Sequence, residues 1–269
     1  MLLIFIMKIF NSTNYQIKKV LELRRVWWFS ASARTKARFA RTKLGSYWLG
    51  LSNLLSVGAL VIVYGTIFKV ESFKEYAIYL ALGITLWNSL ASAINTAPNL
   101  LESQRDLLNN TNIDISYYIM QEWAFNIQSF FQSLSIVLFV ICLIEPSTII
   151  NILFSVIPLI NYLLFMLWLP SIICILGAKL QDLYQLVPII VQLSFLVTPI
   201  LYFKKELGSL QFLSMVNPIY QIIAPLREVL LSGELLFLRD MIVFSLNILG
   251  LLFSFYFLRK SRSNINFLV

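Results

Sequence analysis

The stretch WLGLSNLLSVGALVIVYGTIF, Trp48–Phe68, runs for 21 residues without a Lys, Arg, Asp or Glu. A helix rises about 1.5 Å per residue, so about 20 apolar residues cross the roughly 30 Å hydrocarbon core of a bilayer. Five further runs approach or exceed that length and are equally uncharged: Tyr76–Leu101, Phe125–Ile144, Ile149–Gly177, Leu183–Phe203 and Met241–Leu258. The chain is 13% charged and 59% hydrophobic, with a mean hydropathy of +0.79. A soluble protein carries about a quarter of charged residues. The sequence therefore predicts an all-α integral membrane protein with six transmembrane helices over 48–258. A cytoplasmic or interfacial segment 1–47 and a cytoplasmic tail 259–269 flank them.

The basic residues set the orientation. Ten precede Trp48, among them Arg24, Arg25, Arg34, Lys36, Arg38, Arg41 and Lys43. With the N-terminal end in the cytoplasm, six spans return the tail with Arg259, Lys260 and Arg262 to the same side. Fifteen basic residues then lie inside and 6 outside, as the positive-inside rule requires. Both termini are predicted to be cytoplasmic. The net charge of +8 sits beside a span, so anionic lipid is the nearer partner; no domain outside the membrane exists to bind nucleic acid. The short apolar stretch Met1–Ile6 lacks a small-residue cleavage site and is not read as a removable signal.

Tyr15–Phe29 reads as an amphipathic helix. Ile17, Val20, Leu21, Leu23, Trp27 and Trp28 fall on one side, and Lys18, Lys19, Glu22 and Arg25 on the other. Its paired Trp suits an interfacial position. Ser30–Lys43 reads as a connector. Glu102–Trp123, between the second and third spans, reads as a short helix across the membrane face. Between spans five and six, Lys204–Asp240 is long and largely apolar. Its segments Leu210–Val216 and Ile219–Leu231 are broken by Asn217, Pro218 and Pro225. Neither half spans, which predicts a re-entrant or interfacial hairpin on the outer side.

The predicted spans offer only neutral polar groups: Asn88, Asn95, Gln128, Gln132, Asn161, Gln192 and Asn247. Interhelical hydrogen bonding accounts for these, and ion-driven transport lacks its usual charged relay. The chain has no His and only two Cys, Cys142 and Cys174, both within spans; no metal site is expected. No G-x-x-x-x-G-K-[ST] occurs, so nucleotide is not bound through a P-loop. Leu231-Ser232-Gly233-Glu234 looks like an ATPase signature loop but has no such loop to serve. Aromatics crowd the span ends, including Tyr47, Trp48, Tyr64, Phe68, Tyr202, Phe203 and Tyr220. They read as interfacial belt residues or as rings along which sugars slide.

Three patterns together resemble the permease subunits of ABC exporters for cell-envelope polysaccharides of the O-antigen, capsule and teichoic acid type. Arg38-Phe39-Ala40-Arg41-Thr42-Lys43-Leu44-Gly45-Ser46-Tyr47-Trp48 is similar to the basic segment opening that family's first span. Leu180-Gln181-Asp182-Leu183 followed by Thr198-Pro199-Ile200-Leu201-Tyr202 resembles its fifth. Asn217-Pro218-Ile219-Tyr220 with Arg227 resembles its Asn-Pro outer segment. Two departures stand out: Gln181 where the family commonly has Arg, and Asn109-Asn110-Thr111-Asn112 in place of a Lys and a downstream Pro.

The resemblance implies a homodimer in a bacterial inner membrane, served by two copies of a separate P-loop ATPase subunit that carries ATP and Mg. It also implies a lipid-linked glycan as cargo and no catalysis or cofactor in this chain. Arg38, Arg41, Glu102, Arg105, Asp106, Leu107 and Leu108 are the expected coupling residues. Tyr47, Trp48, Thr198, Pro199, Tyr202, Asn217, Pro218, Tyr220 and Arg227 are expected along the path and its outer gate. Two alternatives compete: a permease for a smaller lipid or drug, and a membrane-embedded transferase using the outer carboxylates Glu206, Glu228, Glu234 and Asp240.

Overall fold

A computed structural model of the chain describes residues 20–110 and 113–268. The stretch Met1–Ile6, residues 15–19 of the expected amphipathic helix, and Thr111-Asn112 lie outside the described residues. The described residues are helical, without a strand: α1 Arg24–Arg38, α2 Trp48–Ile67, α3 Phe73–Thr96, α4 Leu100–Ser103, α5 Arg105–Asn110, α6 Ile115–Ile144, α7 Thr148–Phe154, α8 Val156–Gly177, α9 Leu183–Val197, α10 Gln211–Val216, α11 Pro218–Ser232 and α12 Phe237–Leu268.

Polar residues set the helix starts. Ser72 Oγ accepts the Glu75 N–H at 3.3 Å, Asp114 the Ser116 N–H at 3.2 Å, and Asn217 the Ile219 N–H at 3.0 Å. Each satisfies a donor that helix geometry leaves orphaned. At the far end of α11, Gly233 takes φ 75, the left-handed conformation glycine adopts most cheaply.

Among the described residues, five helices are long and apolar enough to cross a membrane: 45–67, 73–96, 115–144, 156–177 and 237–261. They make the chain a multi-pass membrane protein. The run Leu183–Phe203 forms only the 15-residue α9 and then leaves helical conformation. The run Ile149–Gly177 breaks at Ser155, whose hydroxyl bonds back to Ile152 O at 2.7 Å.

Three helices begin ahead of their expected bounds, α3 at Phe73 and so with Lys74 and Glu75. α6 begins at Ile115 on its Asp114 cap and so carries Glu122; α12 begins at Phe237 and so carries Arg239 and Asp240. Uncharged spans therefore describe the apolar runs but not the helices. Pro225, read as a break, lies inside α11. It forfeits one backbone bond, while Ile222, Ile223, Ala224 and Leu226, all buried, hold the helix in place. Ser30–Arg38 is no connector but a continuation of α1.

The helix α3 is the centre of the bundle: 72% of its apolar stretch is buried, against 17% for α2 and 22% for α12. It packs with α2, α6, α8, α9 and α11. The outer faces of α2, α9 and α12 expose Leu55, Ile62, Ile189, Leu193, Leu249 and Phe253. Water would penalise such faces, whereas lipid does not. Alternating helix directions give the bundle a basic end, with α1 and residues 97–110, and an opposite end with loops 68–72 and 145–147 and residues 198–218.

At the opposite end Lys74 Nζ lies 2.7 Å from Glu145, tying the start of α3 to the end of α6. Hydrogen bonds from Lys74 and then Ser147 hold the Glu145 carboxyl below its ordinary range. A depressed carboxyl stabilises the fold above its unfolded pKa, and that contribution is lost as pH falls through the folded value. Acidification below the usual Glu range should therefore lower the unfolding temperature slightly. The Lys74→Met variant should show a flatter acid limb in thermal scans at pH 3 to 7 (about that range by ordinary Glu titration).

Candidate functional site

The break after α9 organises the opposite end. Proline has no N–H and forces the residue before it out of the helical region. Thr198 accordingly sits at φ −82, ψ 127, and α9 stops. The carbonyls of the non-helical stretch that follows need partners, since a membrane offers no water to take their place. Side chains from α3 and α11 supply them. Arg227 Nη1 donates to Pro199 O at 2.8 Å, and Tyr76 Oη to Leu201 O at 2.5 Å. Tyr79 Oη lies 2.9 Å from Pro199 O and 3.0 Å from Tyr202 O, sharing its one proton between them.

Arg227 is only 2% exposed, with its guanidinium 3.9 Å from the centre of the Tyr79 ring. Ring quadrupole and carbonyl together offset part of the cost of burying that charge. Its Nε has no partner. The two proline motifs are joined as well. Asn217 Nδ2 donates to Thr198 Oγ1 at 2.8 Å, and Thr198 Oγ1 donates to Ser194 O at 2.7 Å. Pro218 occupies the first turn of α11, where its missing N–H costs nothing. Tyr220 is buried one turn on, with Lys204 Nζ 5.9 Å from its ring centre, and Tyr202 Oη reaches Leu196 O at 2.8 Å.

Thr198, Pro199, Tyr202, Asn217, Pro218, Tyr220 and Arg227 thus gather in one place. Tyr47 and Trp48 do not join them: they lie at the start of α2, at the basic end, largely exposed. Tyr76 and Tyr79 are the residues that sequence reasoning missed. Their spacing of three puts them on one face of α3, the one signal that the sequence carries for them.

At the basic end α1 packs on α6. Trp27, Ala31, Ala124 and Phe125 form a small apolar cluster, and Gln121 Nε2 donates to Ser30 Oγ at 2.9 Å. Arg34 forms an ion pair with Glu122, and its guanidinium sits 4.1 Å from the Phe125 ring centre. Glu122 also meets Thr96 Oγ1 at 3.5 Å, so α1, α3 and α6 converge on it. The Glu122 side chain is 8% exposed and Arg34 46%. Truncating the arginine strands a buried carboxylate. We expect Arg34→Ala to destabilise the α1 contact by about 1–3 kcal/mol, discounted for the exposure of Arg34. The double variant Arg34→Ala, Glu122→Gln should recover most of it. Protease cleavage within 39–47, compared across the three proteins, reads this directly.

The expected coupling residues occupy two places at this end. Arg38 closes α1, its guanidinium 5.5 Å from the Phe39 ring centre, and Arg41 lies exposed in the turn beyond. Glu102 and Arg105 face each other at 3.4 Å across α4 and α5. Asp106 and Leu107 are exposed on α5, while Leu108 packs against the cluster of Leu100, Leu101, Ile115 and Cys174.

Between the two ends, a groove of about 160 Å³ opens where α2, α3 and α6 meet. Ser52, Asn53, Asn88, Asn126, Ser129 and Ser133 line it, with Arg38 at its basic mouth. Asn53 Nδ2 donates to Ser133 Oγ at 2.6 Å and Asn88 Nδ2 to Asn53 Oδ1 at 3.0 Å; the buried Ser129 Oγ has no partner. A second polar ladder joins α8 to α12. There Trp168 Nε1 donates to Asn247 Oδ1 at 2.9 Å, Asn247 Nδ2 to Asn161 O at 3.1 Å, and Asn161 Nδ2 to Asp240 O at 3.0 Å. Interhelical bonding thus describes Asn161 and Asn247, whereas Asn88 bonds across helices and also faces open space.

The carboxylates weighed for a transferase do not converge. Glu228 is held by Arg239 at 3.0 Å, and Asp240 is buried with neither carboxylate oxygen accepting a bond. Glu206 lines a separate cavity at the opposite end. Among the described residues, no three His, Cys, Asp or Glu side chains are placed to hold a metal ion.

A family model described as ABC-2 type transporter matches residues 32–231. No curated protein matches the chain.

Proposed function

We propose that this chain, which belongs to the ABC-2 type transporter family and is a membrane permease of an ABC transporter, works with a separate ATPase subunit to export a lipid-linked polysaccharide or similar envelope glycan. The observation that carries this reading is the membrane-level groove lined by Ser and Asn. Neutral donors and acceptors exchange hydrogen bonds with sugar hydroxyls one after another, and the one fixed charge of the lining stands at the mouth. Arg38 at its basic mouth suits the phosphate that links a glycan to its lipid carrier. Aromatic rings and the joined proline motifs stand at the other end, where the path would leave the membrane.

In this reading α9 and the 198–203 stretch make a sixth pass, α10 and α11 form the outer re-entrant hairpin, and both termini lie in the cytoplasm of a bacterial inner membrane. A homodimer closes the path, and two ATPase subunits dock on the basic end. There α1 transmits their closure to α3 and α6 through Arg34 and Glu122, while Arg38, Arg41 and the Glu102–Leu108 segment meet the ATPase. ATP and Mg belong to the partner. At the outer side Thr198, Pro199, Tyr202, Asn217, Pro218, Tyr220 and Arg227 form the gate. Tyr47 and Trp48 mark the inner start of the path.

The test is purification from native membranes through a C-terminal tag, combined with glycan analysis of cells lacking the chain. A stoichiometric P-loop ATPase partner and lipid-linked glycan accumulating at the inner leaflet are the expected results. Unchanged envelope glycan with altered sensitivity to amphiphilic compounds would overturn the cargo and favour a smaller lipid or drug.

A further inference from the structure

At the opposite end, beside the break and outside the groove just described, lies an open cavity of about 460 Å³. That falls within the range of about 300–1,000 Å³ usual for small-molecule sites. Its apolar wall is aromatic: Tyr202 and Phe203 from the 198–203 stretch, and Tyr76 from α3, whose ring meets Phe203 edge-on at 5.9 Å. Its rim is charged, with Lys69, Glu71 and Glu75 on one side and Lys205 and Glu206 on the other. Among the described residues none of these five pairs with another of them. Opposite charges held around one space without pairing leave their hydrogen-bonding capacity to whatever enters.

A second observation comes from the backbone. Lys69 has φ 49, the only non-glycine residue in the left-handed region among those described. It follows the end of α2, with Val70 N bonding to Gly65 O at 3.2 Å, the closure of a helix end that glycine normally provides. Glycine would take this conformation without the steric cost that Lys incurs. Strain kept at the rim of a cavity is a signature of a side chain retained for use.

We infer that this cavity is a docking site for one or two neutral pyranose units of a glycan. Flat C–H faces of a sugar ring stack on Tyr202, beside the Phe203 ring, over which Lys205 Nζ lies 5.5 Å from the centre. Glu71, Glu75 and Glu206 accept from its hydroxyls, and the Lys69 and Lys205 ammonium groups donate to them. Three carboxylates against two ammonium groups disfavour a phosphorylated sugar at the same place. Because the aromatic wall is the stretch that Arg227 and Tyr79 hold, an occupied cavity would bear on the gate itself. The inference rests on the exporter reading, to which it adds a sugar-holding site where the chain emerges.

The experiment uses the full chain in lipid nanodiscs and saturation-transfer NMR. Its probes are methyl glucoside, methyl N-acetylglucosaminide and glucose 1-phosphate, and export of envelope glycan is measured in cells in parallel. Ring-proton saturation is expected for the two neutral glycosides and not for the phosphate. Lys69→Gly should keep or raise the unfolding temperature while weakening glycoside binding about tenfold, the loss of one charge-assisted bond. Glu71→Gln with Glu206→Gln should weaken it further. Unchanged glycoside binding in both variants, or preferential binding of glucose 1-phosphate, overturns the site. If wild-type cells export glycan but neither glycoside binds, this site falls and the exporter reading stands. If the glycosides bind and glycan export does not depend on the chain, the exporter reading falls and the cavity stands.

Discussion

Replacing Arg227 by methionine is expected to abolish the proposed export and to destabilise the fold by about 2–4 kcal/mol. The guanidinium is buried, donates to Pro199 O at 2.8 Å and lies against the Tyr79 ring. Methionine fills much of the volume but offers no donor. Pro199 O and Tyr202 O then compete for the single Tyr79 proton, and one buried carbonyl goes without. Lysine at 227 restores a charge but not a planar donor over the ring, so partial recovery is expected. Thermal unfolding in nanodiscs and ATP-driven export separate the two effects. Wild-type stability in the methionine variant would show that the guanidinium does not clamp the break.

The second large effect is expected at Gly177. A Cβ there would lie 2.6 Å from Pro98 Cα and 2.8 Å from Pro98 C, where the end of α8 presses on the turn between α3 and α4. The obstacle is backbone, which cannot rotate aside as a side chain can. Gly177→Ala should therefore destabilise by about 3 kcal/mol. Gly58 on α2 is the control, since a Cβ there meets nothing within 4 Å. Gly58→Ala should be neutral or stabilising by a few tenths of a kcal/mol up to about 1. Equal unfolding temperatures for the two variants would refute the close approach at Pro98.

The apolar runs were legible because a bilayer demands length and excludes charge, and both are linear properties of sequence. Helix ends were less so. Asp114 is a cap that sequence reasoning could have used to extend α6 back to Ile115, and with it Glu122 would have moved from a short helix across the membrane face into a buried turn of α6. At Ser30 the chain offered small residues without Gly or Pro, which read as a connector. Packing of Ala31 on Ala124 decides for helix instead. Pro225 is the converse case, a breaker in isolation that buried neighbours overrule.

In the cluster around the break after α9, the Thr-Pro and Asn-Pro motifs were visible separately. Their bond, Asn217 to Thr198, was not, because nothing local records it. The Tyr79 contacts with the break span more than a hundred residues of chain, beyond any periodicity. Asn88 shows the limit from the other side. Its polarity was plain, yet whether it staples two helices or faces a groove depends on Asn53 and Ser133 arriving beside it.

The shortness of α9 has a consequence for the lipid around it. Its 15 residues make a helix of about 22 Å, roughly 8 Å less than the hydrocarbon core of a typical bilayer. As the helical part of the sixth pass proposed above, it leaves that remainder to the non-helical stretch 198–203, and thinning of the surrounding membrane there would shorten what the stretch must cross. The host bilayer thereby becomes part of the proposed gate. Short acyl chains would relieve the mismatch and long ones aggravate it, so turnover in reconstituted membranes should fall as chain length rises.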